Sequence, residues 1–241
     1  MAEKKQSAAD KKAAGDKKSA LETALAQIEK QFGKGAVMKL GQNVTMQVDA
    51  ISTGSISLDM ALGIGGLPRG RIIEIYGPES SGKTTLALNI ADRVAERTGP
   101  VLFISLEMDV EQLVAKRVAR LSGIPANRLL MGKLSEQEYA KMAQAAGKLE
   151  QVPLYINRKP GATVEQIEAL ARRVPGLALV VVDYVGKVSP NESSYRNSDR
   201  YNYMTEVSGD LKTMARSLRL PVLVLCQLNR ASEGQKDKRP Q

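Results

Sequence analysis

Residues 72–85 read Ile72-Ile73-Glu74-Ile75-Tyr76-Gly77-Pro78-Glu79-Ser80-Ser81-Gly82-Lys83-Thr84-Thr85. The segment joins a short apolar strand to a helix through a glycine-rich loop, and residues 77–84 match G-x-x-x-x-G-K-[ST] without a gap. The N–H groups of such a loop and the start of the following helix form a cradle for phosphate groups. The pattern therefore predicts a nucleotide site, in which Lys83 reaches the β- and γ-phosphates and the Thr84 hydroxyl binds Mg²⁺.

Strand and helix patterns alternate from residue 71 onward. Strands are predicted at 72–76, 101–106, 154–156, 177–182 and 221–226, with a helix from about Lys83 to Arg97 after the first. Capping boxes at Ser135–Glu138 and Thr163–Gln166 predict the beginnings of two further helices. Strands that alternate with helices of this length form right-handed crossovers in a parallel sheet. The predicted fold class is α/β, with a mostly parallel sheet flanked by helices.

Three polar side chains follow predicted strands. Asp183 ends the apolar run Leu179–Val182, where a carboxylate beside the phosphate loop can hold Mg²⁺, directly or through water. Glu107 follows the strand at 101–106 and could polarise the water that attacks the γ-phosphate, although a surface glutamate fits the pattern equally well. Gln227 follows the last strand, where its amide could sense the γ-phosphate.

Composition excludes several classes of protein. The absence of histidine removes the Ser-His-Asp and Cys-His arrangements, and the single cysteine, Cys226, removes a disulfide framework. No apolar run approaches the ~18 residues of a membrane span, and the amino terminus lacks the apolar core of a secretory signal. We therefore expect a cytoplasmic protein without membrane contact. Lys+Arg 35 against Asp+Glu 26 gives a net charge of +9, which favours a polyanionic partner, nucleic acid first.

Basic segments define the expected organisation of the chain. Residues 1–18 are predicted to be a disordered basic tail. Residues 19–50 are predicted to be a helix, begun by a capping box at Ser19–Glu22, and a linker. The apolar face of this helix could pack on the core of its own chain, or on a neighbouring subunit as a self-association element. Residues 51–241 are predicted to be the nucleotide-binding core. Two stretches are candidates for single-stranded DNA contact. The stretch at 187–203 combines cations with tyrosines, and the alternative is a solvated loop with core-anchoring tyrosines. The stretch at 229–241 is basic and flexible, and the alternative is a frayed terminus. The candidate cations are Lys187, Arg196, Arg200, Arg230, Lys238 and Arg239.

The amino-terminal part of the chain resembles the bacterial RecA recombinases. The resemblance covers about residues 19–90. It rests on ALAQIEKQFGKG at 24–35, ISTGS at 51–55, SLD at 57–59 and GGLPRGR at 65–71, which run into the phosphate loop.

The rest of the chain, about residues 100–241, resembles the motor domain of DnaB-type replicative helicases. This second resemblance rests on SLEM at 105–108, PLYI at 153–156, VVDY at 181–184, and QLNR at 227–230 followed by DKRP at 237–240. The chain therefore looks like a hybrid of two relatives that share one core.

Both resemblances imply a RecA-type ATPase that assembles head to tail, as a filament or a hexameric ring, with ATP between subunits and single-stranded DNA in the channel. They imply that Gly77–Thr84 binds the phosphates, Asp183 associates with Mg²⁺, Glu107 activates water and Gln227 senses the γ-phosphate. Lys116 takes the place of an arginine that lies near the adenine in the helicases.

Three functions stay open at this stage. The first is an ATP-dependent, single-strand-binding ATPase of recombination and repair, and the second is a replicative helicase motor. The third is an ATP-binding assembly module without a productive motor. Both families continue beyond the residue that matches Gln241, with basic residues that reach the neighbouring ATP site. Because such residues contribute about 10³–10⁵ in rate, we expect ATP binding with weak hydrolysis.

Overall fold

The computed structural model describes residues 23–24, 26–28, 30, 48–189 and 200–228. The chain divides into two units, Met1–Met46 and Gln47–Gln241. In the first unit the described residues are all helical, and they fall within residues 19–50, which were predicted to begin with a helix. The predicted tail at 1–18 and the capping box at Ser19–Glu22 lie outside the described residues.

The second unit combines a small antiparallel sheet with a large parallel one. The small sheet pairs β1 (Ala50–Ile51) with β2 (Leu67–Pro68), and the short helix α1 (Ile56–Ala61) lies between them in the chain. The large sheet and its helices follow in the order β3 (Ile72–Gly77), α2 (Lys83–Arg97), β4 (Val101–Ser105), α3 (Val110–Ser122), α4 (Ala126–Met131), α5 (Glu136–Glu150), β5 (Leu154–Arg158), α6 (Val164–Ala171), β6 (Leu179–Asp183), a 3-10 turn (Val185–Lys187), α7 (Arg200–Leu218) and β7 (Val222–Gln227).

The large sheet is parallel throughout, with strand order β3-β7-β6-β4-β5. Strand β7, the last strand in the described part of the chain, therefore lies between β3 and β6. The register pairs Gly77 with Gln227 and Ser105 with Asp183, so the polar residues at the carboxyl ends of these strands share one edge of the sheet. The predicted fold class, an α/β protein with a parallel sheet flanked by helices, is confirmed.

Helices cover both faces of the sheet. Val180 and Val182 of β6 pack into one apolar cluster with helices α6 and α7. Leu179 and Val181 pack into the other cluster, with helices α2 and α3. Strand β6 is buried over its whole length, as expected for an apolar run at the centre of a parallel sheet. None of the helices in the described part of the chain has the length and apolar content that a bilayer crossing requires.

Candidate nucleotide-binding site

The loop between β3 and α2 is tightly folded. Ser80 and Gly82 both have positive φ, at 59° and 89°, and Gly82 is the residue from which α2 starts. A Cβ atom on Gly77 would lie 2.9 Å from the Ser81 Oγ, so the loop packs closely where β3 ends. The glycines at both ends of the loop let its backbone curl over the amino terminus of α2.

Lys83 lies folded over this loop. Its Nζ donates hydrogen bonds to the Gly77 carbonyl at 3.0 Å and to the Pro78 carbonyl at 2.6 Å, and it lies 3.4 Å from the Ser81 Oγ. The ammonium group therefore adds a full positive charge to the N–H groups and helix dipole at the start of α2. The arrangement suits an anion with several oxygens, such as the phosphate chain of a nucleotide.

Thr84 and Asp183 meet at the base of the loop. The Thr84 hydroxyl, in the first turn of α2, donates a hydrogen bond of 2.8 Å to the Asp183 Oδ2. Asp183 ends β6 and is only 3% exposed. The fold thus brings together a hydroxyl and a carboxylate from distant parts of the chain, and both are oxygen donors of the kind that Mg²⁺ prefers.

Burial raises the pKa of the Asp183 carboxyl above its ordinary value, and the nearby negative charge of Glu107 raises it further. The hydrogen bond from Thr84 and the positive charges of Lys83 and Lys116 act in the opposite direction and lower the same pKa. A buried carboxylate beside a second carboxylate is a costly arrangement on its own. A divalent cation at this position would favour the ionised form of Asp183, so the donor set fits Mg²⁺.

A cavity of about 540 Å³ opens beside these residues. Its lining contains most of the site residues predicted from the sequence: Glu79–Thr85, Glu107, Asp183 and Gln227. Gly77 and Pro78 take part through the carbonyl groups that bind Lys83. The fold therefore brings the predicted residues to one place, while the roles assigned to them stay predictions.

Four further residues line the cavity, namely Met108, Gln112, Lys116 and Tyr184. Gln112 and Lys116 lie one turn apart on α3, which starts just beyond the carboxyl end of β4. Of these four residues, the sequence placed only Lys116 near the nucleotide, and it did so through the resemblance to the helicases. The i, i+4 spacing after a strand end was the signal that could have identified Gln112 as well.

The residues predicted to contact DNA are described only in part. Lys187 follows β6 in the 3-10 turn, and its Nζ lies 5.6 Å from the centre of the Tyr184 ring, within range of a cation–π interaction. Tyr203 packs, half-buried, against the core, which agrees with the core-anchoring alternative for that tyrosine. Arg200 is the first described residue of α7, but its side chain is not described. Arg196, Arg230, Lys238 and Arg239 lie outside the described residues.

The chain is similar to helicase motor domains over most of its length. A family model for the DnaB-like helicase C-terminal domain matches residues 50–241. The chain also matches a solved structure of a DnaB-like replicative helicase studied with primase, with a TM-score of 0.72 and 25% identity. That match covers 91% of this chain and 51% of the helicase chain.

The chain is also similar to curated RecA proteins. It is 48% identical to Protein RecA of Ruminococcus albus over 156 residues, which is 64% of this chain and 38% of that protein. It is 39% identical to Protein RecA of Thermus thermophilus over 217 residues, which is 90% of this chain and 54% of that protein. The chain thus spans about half or less of the length of these relatives. The helicase family model matches residues 50–241, and the Thermus thermophilus RecA match covers 90% of this chain. The two similarities therefore overlap in one shared core.

Proposed function

Since this chain belongs to the family of DnaB-like helicase C-terminal domains, we propose that its RecA-type core binds ATP with Mg²⁺ and hydrolyses ATP to ADP and phosphate when it binds single-stranded DNA. We assign this ATPase to DNA recombination and repair, in line with the similarity to RecA proteins. The observation that supports the ATP site most strongly is the meeting of Lys83, Thr84 and Asp183 at one cavity.

The phosphate chain and its Mg²⁺ have counterparts among the residues of the cavity. When the nucleotide binds, the Lys83 ammonium leaves the Gly77 and Pro78 carbonyls and binds the β- and γ-phosphates. The N–H groups of the loop bind the same phosphates. The Thr84 hydroxyl and the Asp183 carboxylate would hold Mg²⁺, which when bound neutralises charge on the phosphates. Gln227 is placed by its register beside Gly77, so its amide can contact the γ-phosphate end of the nucleotide.

Glu107 acts on the attacking water in this proposal. Its carboxylate accepts a proton from the water as the oxygen attacks the γ-phosphorus, and the bond to the β-phosphate oxygen breaks. The atoms balance as ATP and water giving ADP, phosphate and a proton.

DNA binding and self-assembly extend the proposal beyond the cavity. We assign DNA contact to Lys187, Arg196, Arg200, Arg230, Lys238 and Arg239, and self-association to residues 19–50 as a filament or a hexameric ring. The basic charge of the chain, +9, supports a nucleic-acid partner. We expect this assembly in the cytoplasm, with residues 51–241 as the ATPase core and residues 1–18 as a basic tail.

The helicase motor is the second candidate function. The family match over residues 50–241 and the similarity to a replicative helicase over 91% of the chain favour it. Filaments on single strands in electron micrographs would favour the recombinase-like function. Closed hexamers that unwind duplex DNA would favour the helicase.

ATP hydrolysis with and without single-stranded DNA tests the proposal. Lys83→Ala should lower DNA-stimulated turnover by about 100-fold or more, because it removes a positive charge aimed at the phosphates. Lys141→Ala removes an exposed lysine of α5 and should leave turnover unchanged. ATP binding with turnover that DNA does not stimulate would contradict the proposal and favour an assembly module without motor activity.

A further inference from the structure

A buried carboxylate lies on the α2 face that borders the cavity. Thr85 lines the cavity, and Leu88 and Asp92 follow it on the same helix face at helical spacing. At 1.5 Å per residue, Asp92 lies roughly 10 Å along the helix axis from Thr85. Asp92 is fully buried although it does not line the cavity. Because burying a charge is costly, the partners of Asp92 matter.

Two arginines of α3 bind Asp92. The Arg117 Nε donates a hydrogen bond of 2.8 Å to the Asp92 Oδ1, and the Arg120 Nη2 donates one of 2.6 Å to the Asp92 Oδ2. The Arg117 Nη2 lies 2.7 Å from the same Oδ1, close enough for an ion pair but without hydrogen-bond alignment. Arg117 is buried and the Arg120 side chain is 25% exposed. This ionic cluster joins α2 to α3 inside the protein.

The ionic cluster fixes the orientation of α3 relative to α2, which apolar packing alone does not. Leu113 shares its α3 face with Arg117 and Arg120 and belongs to the same apolar cluster as Leu88 of α2. Apolar contacts of this kind are non-directional, whereas carboxylate–guanidinium bonds fix both distance and rotation. Buried ion pairs often add little net stability over apolar replacements, and their best-attested role is to fix the register of packed elements.

The adjoining face of α3 lines the cavity through Gln112 and Lys116. Lys116 immediately precedes Arg117 in the chain, so any rotation or slide of α3 moves both residues together. Lys116 therefore shares the cavity with Lys83, Thr84 and Asp183, the residues that the proposed function assigns to the phosphates and Mg²⁺.

We propose that the Asp92–Arg117–Arg120 cluster is a positioning element that holds α3 in the register at which the Lys116 ammonium faces a nucleotide bound in the cavity. The inference rests on the proposed ATP site and adds a second nucleotide-binding cation to it. Lys116 is the binding residue. The three residues of the ionic cluster lie outside the cavity lining and act on the nucleotide through Lys116.

A double-mutant cycle on the full chain tests this role. The dissociation constant of Mg·ATP is measured by titration for Arg120→Ala, Lys116→Ala and the double variant. Arg120→Ala leaves the Asp92–Arg117 pair in place, so the fold should be kept. Each single variant should bind ATP about tenfold more weakly, and the double variant no more weakly than Lys116→Ala, a coupling of about 1.4 kcal/mol.

A second variant and a matched control complete the experiment. Asp92→Asn should give a larger loss of ATP affinity with the same coupling to Lys116, and thermal melts identify variants that fail to fold. If Asp92→Asn does not fold, Arg120→Ala decides the outcome. Arg128→Ala breaks an exposed pair between α4 and α5, with Glu138 at 2.6 Å, and should leave ATP affinity unchanged.

The outcomes separate this inference from the proposed function. Effects of Arg120→Ala and Lys116→Ala that multiply, or no effect of Arg120→Ala, would overturn the positioning role while Lys83-dependent ATP binding persists. If the unmodified chain does not bind ATP, or if Lys83→Ala binds as tightly, the proposed ATP site fails and the inference fails with it.

Discussion

Glu107 is the residue whose role in the reaction is tested most directly by a single substitution. It lines the cavity, and its negative charge contributes to the raised pKa of Asp183, so the two carboxylates lie near each other. Glu107→Gln keeps the size of the side chain but removes its capacity to accept a proton. We expect turnover to fall by about 10²–10⁴-fold while ATP affinity stays close to that of the unmodified chain. Steady-state rates and binding titrations check this.

Glu111→Gln is the control for that substitution, because Glu111 is exposed on α3 and does not line the cavity. It should leave both rate and affinity unchanged. A Glu107→Gln variant with near-normal turnover would identify Glu107 as the ordinary surface glutamate that its sequence also allows.

Asp183 gives a prediction about pH and stability. Burial raises its pKa above the ordinary value of 3.8, so the folded state holds the proton more tightly than the unfolded state. The free energy of unfolding therefore falls as pH rises through the range between the unfolded and folded pKa values. Without nucleotide and Mg²⁺, Asp183→Asn should melt at a higher temperature than the unmodified chain at neutral pH. The difference should shrink toward pH 4.

Melting curves across this pH range check the prediction. Added Mg·ATP should then raise the melting temperature of the unmodified chain more than that of Asp183→Asn, because the amide is a poorer ligand for the cation. An equal difference in melting temperature at all pH values would contradict the assigned pKa direction.

At the scale of elements, the antiparallel pairing of β1 with β2 depends on one glycine. Gly66 has φ of 149°, and a Cβ atom there would lie 2.1 Å from the Ile51 carbonyl oxygen, a contact that only a backbone shift can relieve. We expect Gly66→Ala to lower the free energy of unfolding by about 2–3 kcal/mol. Gly63→Ala is the matched control, since φ is 73° but no atom lies within 4 Å, and should lower it by about 1 kcal/mol. Chemical denaturation measures both, and equal losses would refute the steric argument.

Elements with a local signal were predicted well, and elements without one were not. The structure forms the capping box of α5, with Ser135 and Glu138 bonded reciprocally, and the Thr163 side chain caps α6. The bounds predicted for α2 match those observed. The elements β1, α1, β2 and α4 were not predicted, because pieces of two to six residues are too short to show a period.

The same distinction applies to the candidate site. The phosphate loop, Asp183 and Glu107 follow recognisable strands, so their meeting at one sheet edge follows from parallel topology. The position of β7 between β3 and β6 depends on long-range pairing that no local pattern encodes. The ionic cluster around Asp92 was missed because its arginines lie 25 and 28 residues away in the chain.

At the scale of the whole molecule, the fold brings the polar residues of the candidate site to one edge of the large sheet. Strands β3, β4, β6 and β7 all end toward the cavity, so the segments that follow them begin beside the proposed nucleotide site. The Lys187 Nζ lies 5.6 Å from the centre of the ring of Tyr184, a lining residue of the cavity. The residues proposed for DNA contact follow β6 and β7, the strands that carry Asp183 and Gln227.

The salt dependence of DNA binding tests that assignment. Each phosphate contact on a single strand contributes about 0.7 to the slope of log affinity against log salt concentration. Joint replacement of Arg230, Lys238 and Arg239 by alanine should therefore reduce the slope by about 2, measured by fluorescence anisotropy with labelled single-stranded DNA. The control replaces Lys133, Lys141 and Lys148, three exposed lysines in and next to α5, and lowers the net charge equally, from +9 to +6. Its slope should stay near that of the unmodified chain. If both triple variants reduce the slope equally, net charge alone governs binding and the assignment of these three residues fails.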